Sequence, residues 1–243
     1  NAAIGFIDPK FEVNDIGFIG RTDVINSHIG GGYNWAEPDG LFRRKELGGM
    51  LYQSFDYSGN NIGRGFFHFG SVQFMNYYSV NWGFGFGPEN MNQRRTRGGP
   101  LTLNTKYVGY NMNIGSDDKK EVWFQVMANG NSSSQENYKE VELSVQYRPA
   151  PHVTVSISPS YEIGFNALQY VNVFDDAAAT ATYGHRYVFG ELDQKTFGAG
   201  FRLNWTFTPK LSLQFYAQPL ISSGSYKNFK ELSRPKSDEY LVY

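Results

Sequence analysis

The chain has 243 residues, with 22 Lys+Arg, 23 Asp+Glu and four His, and its formal net charge is -1. A charge this close to zero provides no basic field for nucleic acid, and the absence of Cys removes disulfides, thiolate nucleophiles and Cys-ligated metals. No run approaches the ~18 apolar residues of a membrane helix, and 20 Phe, 17 Tyr and four Trp do not fit a disordered chain.

What remains is a β-rich chain that is 17% aromatic yet polar on average, with a mean hydropathy of -0.46. That combination suits a sheet with one face in lipid and the other in water. The chain opens at Asn1 with no Met and no apolar leader, which reads as a mature protein or a fragment. Residues 1–21 mix Gly, Pro, Asp and Asn with apolar residues and read as an irregular lead-in; residues 22–243 carry the strands.

Period-two alternation then runs along the chain. Ile25, Ile29, Tyr33 and Trp35 alternate with Asn26, His28 and Asn34, and two weaker runs follow at about 44–57 and 64–74. Tyr78, Val80, Trp82, Phe84 and Phe86 alternate with Ser79, Asn81, Gly83 and Gly85. Val108–Ile114, Val122–Ala128 and Val141–Tyr147 repeat the pattern. The cleanest run is Val153–Phe165, with Val155, Ile157, Tyr161 and Ile163 on one side and Ser156, Ser158, Ser160 and Glu162 on the other. Residues 186–207 read as one long strand, because Tyr187, Phe189, Phe197 and Trp205 all keep odd parity, and Leu211–Ile221 closes the series. The count is about ten. Runs of this length exceed the ~5–6 residues of an ordinary strand and match the ~9–11 of a tilted membrane strand.

Short links at 75–77, 115–120, 148–151 and 208–210 alternate with long ones at about 88–105, 129–138, 166–185 and 223–239. Short periplasmic turns and long extracellular loops give that asymmetry in a transmembrane barrel. Tyr33, Trp35, Tyr77, Tyr78, Tyr147, Trp205 and Phe207, near strand ends, suit interfacial aromatic girdles. The predicted fold is therefore an all-β, antiparallel transmembrane β-barrel. A soluble sandwich burying its apolar face would show the same alternation. In the barrel, Val155, Ile157, Phe201, Leu203, Leu213 and Phe215 face lipid, while Ser156, Ser158, Arg202, Asn204 and Gln214 face the lumen. The inward positions are mostly Gly, Ser, Asn, Thr and Gln, too small to fill a narrow bore. The first and last strands are accordingly expected not to pair with each other.

Little in the sequence points to chemistry. His28, His68, His152 and His185 sit apart with no ligand-like spacing, and no nucleophile elbow, P-loop or dinucleotide fingerprint is present. The GxGxG in NWGFGFGPEN lies in an alternating strand and reads as packing glycines. Arg94, Arg95 and Arg97 cluster in GPENMNQRRTRGGPLT, where guanidinium groups would bind lipopolysaccharide phosphates or an acidic glycan. The competing reading is a solvated loop paired with Glu89. Asp175 and Asp176 are adjacent carboxylates that would ligate a calcium ion from outside, although no DxDxDG frame surrounds them. Glu140 and Glu142 share a polar strand face.

The segments FEVNDIGFIGRTD (11–23), GYNWAEPDGLFRR (32–44), RRTRGGPL (94–101), NALQYVNV (166–173), ATATYGHRYVFGELDQKTF (179–197) and RLNWTFTPKLSLQFYAQPLISSGSYKNFKEL (202–232) together resemble one family. It is the uncharacterised C-terminal β-barrel domain of large bacterial outer-membrane proteins, in which a carbohydrate-binding family 9-like domain commonly precedes the barrel. The resemblance implies a Gram-negative outer-membrane location and a larger barrel of which this chain is a sector. It carries over no enzymatic residue.

Fold pattern and resemblance together give the functional expectation: a channel or surface scaffold for glycan handling or nutrient uptake. The alternative is a non-transporting accessory subunit of an envelope complex; a barrel enzyme is not expected. No cofactor is called for. The expected partners are outer-membrane lipid and lipopolysaccharide, other envelope proteins, or further strands of the same polypeptide, and not nucleic acid.

Overall fold

The computed structural model describes residues 1–13, 15, 17 and 19–243. The strands are β1 (Ala2–Ile7), β2 (Val24–Trp35), β3 (Phe42–Phe55), β4 (Asn61–Phe74), β5 (Ser79–Gly87), β6 (Asn90–Asn92), β7 (Thr102–Asn104), β8 (Tyr107–Gly115), β9 (Val122–Ser133), β10 (Glu136–Ala150), β11 (Val153–Asp175), β12 (His185–Thr208), β13 (Leu211–Ala217), β14 (Leu220–Leu232) and β15 (Tyr240–Val242). One 13-stranded sheet runs β1-β2-β3-β4-β5-β8-β9-β10-β11-β12-β14-β15, with β13 also on β12, and β6 and β7 form a separate ribbon. Neighbours in sequence pair in space, as short links require, and all the pairings are antiparallel. No helix among the described residues is long and apolar enough to cross a membrane, which says nothing of strands.

All the alternating runs are strands, and the boundaries differ in instructive ways. The irregular lead-in holds a strand: Ala2–Ile7 pairs with Val24–Ile29. Ala2, Ile4 and Phe6 share a face with Ile25 and Ile29, while the opposite positions are Ala3 and Gly5, which carry no polar signal to mark the alternation. Asn14, Ile16 and Phe18 of the lead-in lie outside the described residues. The expected loop at 129–138 is mostly ladder, with Asn131↔Tyr138 and Ser132↔Asn137 paired around Ser134 and Gln135. The expected loop at 166–185 is likewise strand up to Asp175, so the true turn is 176–184. Where polar and apolar residues mix on both faces, the hydrophobic period disappears although the ladder continues. Hence β11 spans 23 residues and β12 spans 24.

β13 and β14 are one strand with a gap. Phe201↔Ala217 and Gly198↔Leu220 keep the same register across it. Pro219 has no N–H to donate, but its carbonyl accepts from Ala199 at 3.1 Å. Proline fits here because most of this strand has nothing paired on its other side.

Cross-strand register sorts the side chains onto two faces. On one lie Ile29, Leu51, Phe66, Phe86, Val108, Val126, Leu143, Ile157, Phe201 and Phe215. These apolar groups are largely open: Ile29 is 62% exposed, Val141 53% and Phe215 54%. Opposite lie Asn26, Ser54, Asn81, Asn111, Asn129, Glu140, Ser156 and Arg202. Val155, Ile157, Phe201, Leu203, Leu213 and Phe215 share the apolar face, and Ser156, Ser158, Arg202, Asn204 and Gln214 share the polar one. Among the described residues no second sheet covers the apolar face, so no sandwich is formed there. The buried apolar cluster of Leu168, Tyr187, Phe189 and Leu232 sits at one end of the strands.

Links 36–41, 75–78, 116–121, 151–152 and 209–210 fall at one end, and 56–60, 88–106, 134–135, 176–184 and 233–239 at the other. Trp35, Tyr78, Tyr147, Trp205 and Phe207 crowd the first end, with Trp205 and Phe207 stacked at 4.6 Å. At the second end the sheet curls far enough for Lys236 Nζ to donate to Asn60 Oδ1 at 2.9 Å. The ladder does not close. Val24–Trp35 pairs with β1 and β3, and the strand from Leu211 pairs with β12 and, at its end, β15. The first and last strands remain unpaired with each other, as small inward residues led one to expect.

On the polar face, aromatic rings lie over glycines of the neighbouring strand. A Cβ at Gly87 would come within 2.1 Å of the Tyr107 ring, whereas one at Gly164 would meet nothing within 4 Å. Gly87→Ala is therefore expected to lower the unfolding free energy by about 1–3 kcal/mol through overpacking, with Gly164→Ala near neutral. Urea denaturation of the two variants measures the difference.

Candidate polar-face pocket

The link between β5 and β8 does not stand out into solvent. Its β6–β7 ribbon folds across the polar face and is fastened on both sides. Leu103 N donates to Ser237 O at 3.0 Å and Lys236 N donates to Leu101 O at 2.7 Å, tying it to segment 233–239. Gln93 donates to Asp56 at 3.2 Å and accepts from Arg21 at 3.1 Å, tying it to the opposite side of the sheet. Gly99 lies against the Tyr187 ring, too close for any Cβ.

The three sequence-predicted arginines have separate roles. Arg95 is the brace. Its Nη1 donates to Thr102 Oγ1 at 3.0 Å and Leu103 O at 2.9 Å, and its Nη2 donates to Asn104 Oδ1 and Gln135 Oε1, both at 2.8 Å. Gln135 in turn donates to Asp238 at 2.6 Å. Arg94 reaches away and donates through Nη2 to the Gly20 carbonyl. Arg97 sits at φ 54°, a left-handed position that is strained for a side-chain-bearing residue. A Thr96 Oγ1 to Pro100 O bond of 2.8 Å holds that turn. It lays the Arg97 guanidinium over the Tyr170 ring, 4.3 Å from the centroid. Among the described residues Glu89 forms no ion pair with any of them, and Arg94 and Arg97 are exposed.

Beneath the ribbon is a pocket of about 590 Å³ lined by the three arginines and Arg64 of β4, Tyr52, Tyr107, Tyr170, several Asn and Gln side chains, and one carboxylate, Glu136. Its size falls in the range of small-molecule pockets, roughly 300–1,000 Å³. Tyr52 on β3 lies over Gly65, Tyr107 on β8 lies over Gly87, and their hydroxyls meet at 2.5 Å. Two strands lie between them, and the two rings together floor this part of the pocket. Asn131 Oδ1 is buried with no hydrogen-bond partner. The floor and the unmet amide were not singled out from the sequence. The YVGY and MLYQSF contexts read as ordinary strand, and only three-dimensional proximity joins them.

Asp175 and Asp176 do not converge on a cation. Asp175 takes His185 Nδ1 at 2.9 Å, and Asp176 takes Arg186 Nε at 2.5 Å. Arg186 also pairs with Glu231 at 2.6 Å. The hydrogen bond from Arg186 holds the Asp176 carboxyl below the usual carboxylate range. Among the described residues no group of three or more His, Asp or Glu is arranged to hold a metal. His68 accepts from Trp82 Nε1 at 3.3 Å on the apolar face. Glu140 stands directly opposite Glu162 and accepts from Tyr138 at 2.9 Å on the polar face, next to Glu142, which accepts from Ser144 at 2.9 Å.

A model of one family, a domain of unknown function (DUF5916), matches residues 1–237. The chain belongs to this family. No curated protein and no solved structure matches the chain. The family description assigns no activity, so the chemistry of the DUF5916 domain has to come from its own residues.

Two outcomes follow from this geometry. Arg95→Met removes four donated hydrogen bonds. Among the described residues it leaves Leu103 O, Asn104 Oδ1 and Gln135 Oε1 with one donor each and Thr102 Oγ1 with none, at a cost of about 1–3 kcal/mol. Amide hydrogen exchange across 88–105 should speed up while residues 153–165 stay protected. The second concerns acid. A carboxyl with a depressed folded pKa contributes stability above its unfolded value and loses it as pH falls through the folded one. The 176–184 turn should therefore resist protease at neutral pH and open below the ordinary Asp range near 3.8. Asp176→Asn should open it already at neutral pH, read by limited proteolysis with pepsin in acid and thermolysin at neutrality.

Proposed function

We propose that the DUF5916 domain is a sector of an outer-membrane β-barrel that serves as a channel or surface scaffold for glycan handling or nutrient uptake. The observation that carries this reading is the two-faced ladder. Its apolar face is exposed over the whole width of the sheet, far beyond the few hundred Å² that an ordinary soluble surface leaves open, and its polar face carries Asn, Ser, Gly and Glu. The aromatic crowding at the short-turn end supports an interface there, on the periplasmic side, with the longer strands projecting outward. The charge pairs Lys227–Asp193 and Lys230–Glu191 belong to that projecting part, beyond the lipid band.

In hydrocarbon, each unpaired backbone group along β1 and along the β13–β14 strand would cost several kcal/mol. The edges are therefore covered by further strands of the same polypeptide or by another envelope protein. The sequence resemblance, in which a carbohydrate-binding family 9-like domain precedes the barrel, supports the glycan side of this reading. Location in a Gram-negative outer membrane, with lipid and lipopolysaccharide as surroundings, follows from the same reading.

A second reading is favoured by one observation: the β6–β7 ribbon and segment 233–239 cross the polar face and bond to each other. A barrel stoppered this way is a non-transporting accessory subunit. Planar-bilayer conductance separates the two. An open channel gives discrete current steps, and a stoppered one gives none until residues 90–104 are deleted. Ile157→Arg should cost about 2–4 kcal/mol of folding stability in lipid vesicles, with much less at Ser158→Arg. Equal costs at the two positions would count against the membrane reading.

A further inference from the structure

We infer that the pocket beneath the β6–β7 ribbon binds a saccharide bearing a carboxylate. The inference rests on the reading that the polar face is water-filled and serves glycan handling, and it adds the ligand class.

Several groups on the pocket lining are unspent. Among the described residues the Arg97 side chain has no hydrogen bond and no ion pair; its backbone is fixed by the strained turn, where its N–H donates to Arg94 O at 2.9 Å, and its guanidinium by the Tyr170 ring. Such a group presents a planar fork suited to bidentate contact with a carboxylate. Asn131 lines the same space, and among the described residues no hydrogen bond engages its side chain. Asn166 uses its Oδ1 to accept from Leu168 N at 2.8 Å, which leaves its amide N–H groups to donate. Gln169 and Glu136 line the same space, and no hydrogen bond engages their side chains. Donors and acceptors are thus interleaved around Arg97, with Arg64, Arg94 and Arg95 also on the lining. An inorganic anion would use only the donors. A sugar ring uses both through its hydroxyls, and its flat apolar face can rest on the tyrosine floor. The acid function on that sugar answers Arg97. Since Arg95 spends its donors on the ribbon itself, it supplies charge and shape but no direct contact.

The test is isothermal titration of the purified full chain in detergent micelles with trigalacturonate, maltotriose and inorganic phosphate. Trigalacturonate should bind at low ionic strength, and maltotriose should bind weaker by on the order of tenfold or more, the loss of one charged hydrogen-bonded pair. Arg97→Gln should abolish the preference, and Arg97→Lys should restore part of it. Because Arg97 is exposed and makes no bond in the ladder, circular dichroism of both variants should match the wild type. Lipopolysaccharide, which carries sugar carboxylates on a lipid, is a competitor in a further titration. Displacement by it names a lipid-borne source and lack of displacement a soluble one, and either supports the class. Equal binding of the two trisaccharides, unchanged binding in Arg97→Gln, or displacement of trigalacturonate by equimolar phosphate would overturn the inference. A chain that conducts but ignores trigalacturonate refutes the site alone. A chain that binds it in micelles but never inserts into vesicles refutes the membrane reading alone.

Discussion

Everything in this structure depends on the antiparallel ladder meeting the backbone's hydrogen-bonding demand without help from a core. Each interior strand pairs on both sides, so its N–H and C=O groups are satisfied whatever surrounds the side chains. That frees the two faces to take opposite characters. One collects Ile, Leu, Val and Phe, and the other collects Asn, Ser, Gly and Glu. A globular domain of this length would hide its apolar residues in one contiguous cluster. Here the buried cluster is a small knot around Phe189, and it locks the projecting ends of the long strands together.

That knot also seats the inward-folded ribbon. Tyr187 receives Gly99, Phe189 packs edge-on against Tyr240 at 5.7 Å, and segment 233–239 hydrogen-bonds to the ribbon. Polar and apolar parts divide the labour in an orderly way. Arg95 is consumed by neutral acceptors and fixes the ribbon's shape. Arg97 is positioned by stacking, so its donors remain open. Three arginines close together in sequence therefore carry different physical duties, set by what each finds within hydrogen-bond reach.

Much of the fold was legible in the sequence because the period-two signal is strong wherever one face is apolar. Val153–Phe165 and Phe197–Phe207 needed no more than their alternation, and the parity of Tyr187 and Trp205 correctly joined a long strand. The signal failed where chemistry stopped differing between faces. Asn129–Ser133 and Ala167–Asp175 read as loops because both of their faces are polar or mixed, and the ladder that holds them is invisible one strand at a time. Ala2–Ile7 failed for the opposite reason, its inward positions being too small to look polar. The arginine cluster was visible, but not the brace, the Tyr52–Tyr107 floor or the unmet Asn131, because each is made by residues far apart in sequence. The Asp175–Asp176 pair looked like a cation site only while His185 and Arg186, ten residues on, were not known to lie opposite across the hairpin.

The tyrosine floor has a directional property. A strand that slips by two residues keeps its faces, so hydrophobic patterning alone does not forbid it. Sliding β4 one way under Tyr52 replaces Gly65 by Gly63, and sliding β5 under Tyr107 replaces Gly87 by Gly85, both sterically tolerable. Sliding either the other way brings Phe67 under the first ring or Glu89 under the second, where there is no room. Each ring thus behaves as a pawl. It forbids a two-residue slip of one sense on the strand beneath it and leaves the other open, and because β4 and β5 run antiparallel the two forbidden slips point opposite ways along the sheet.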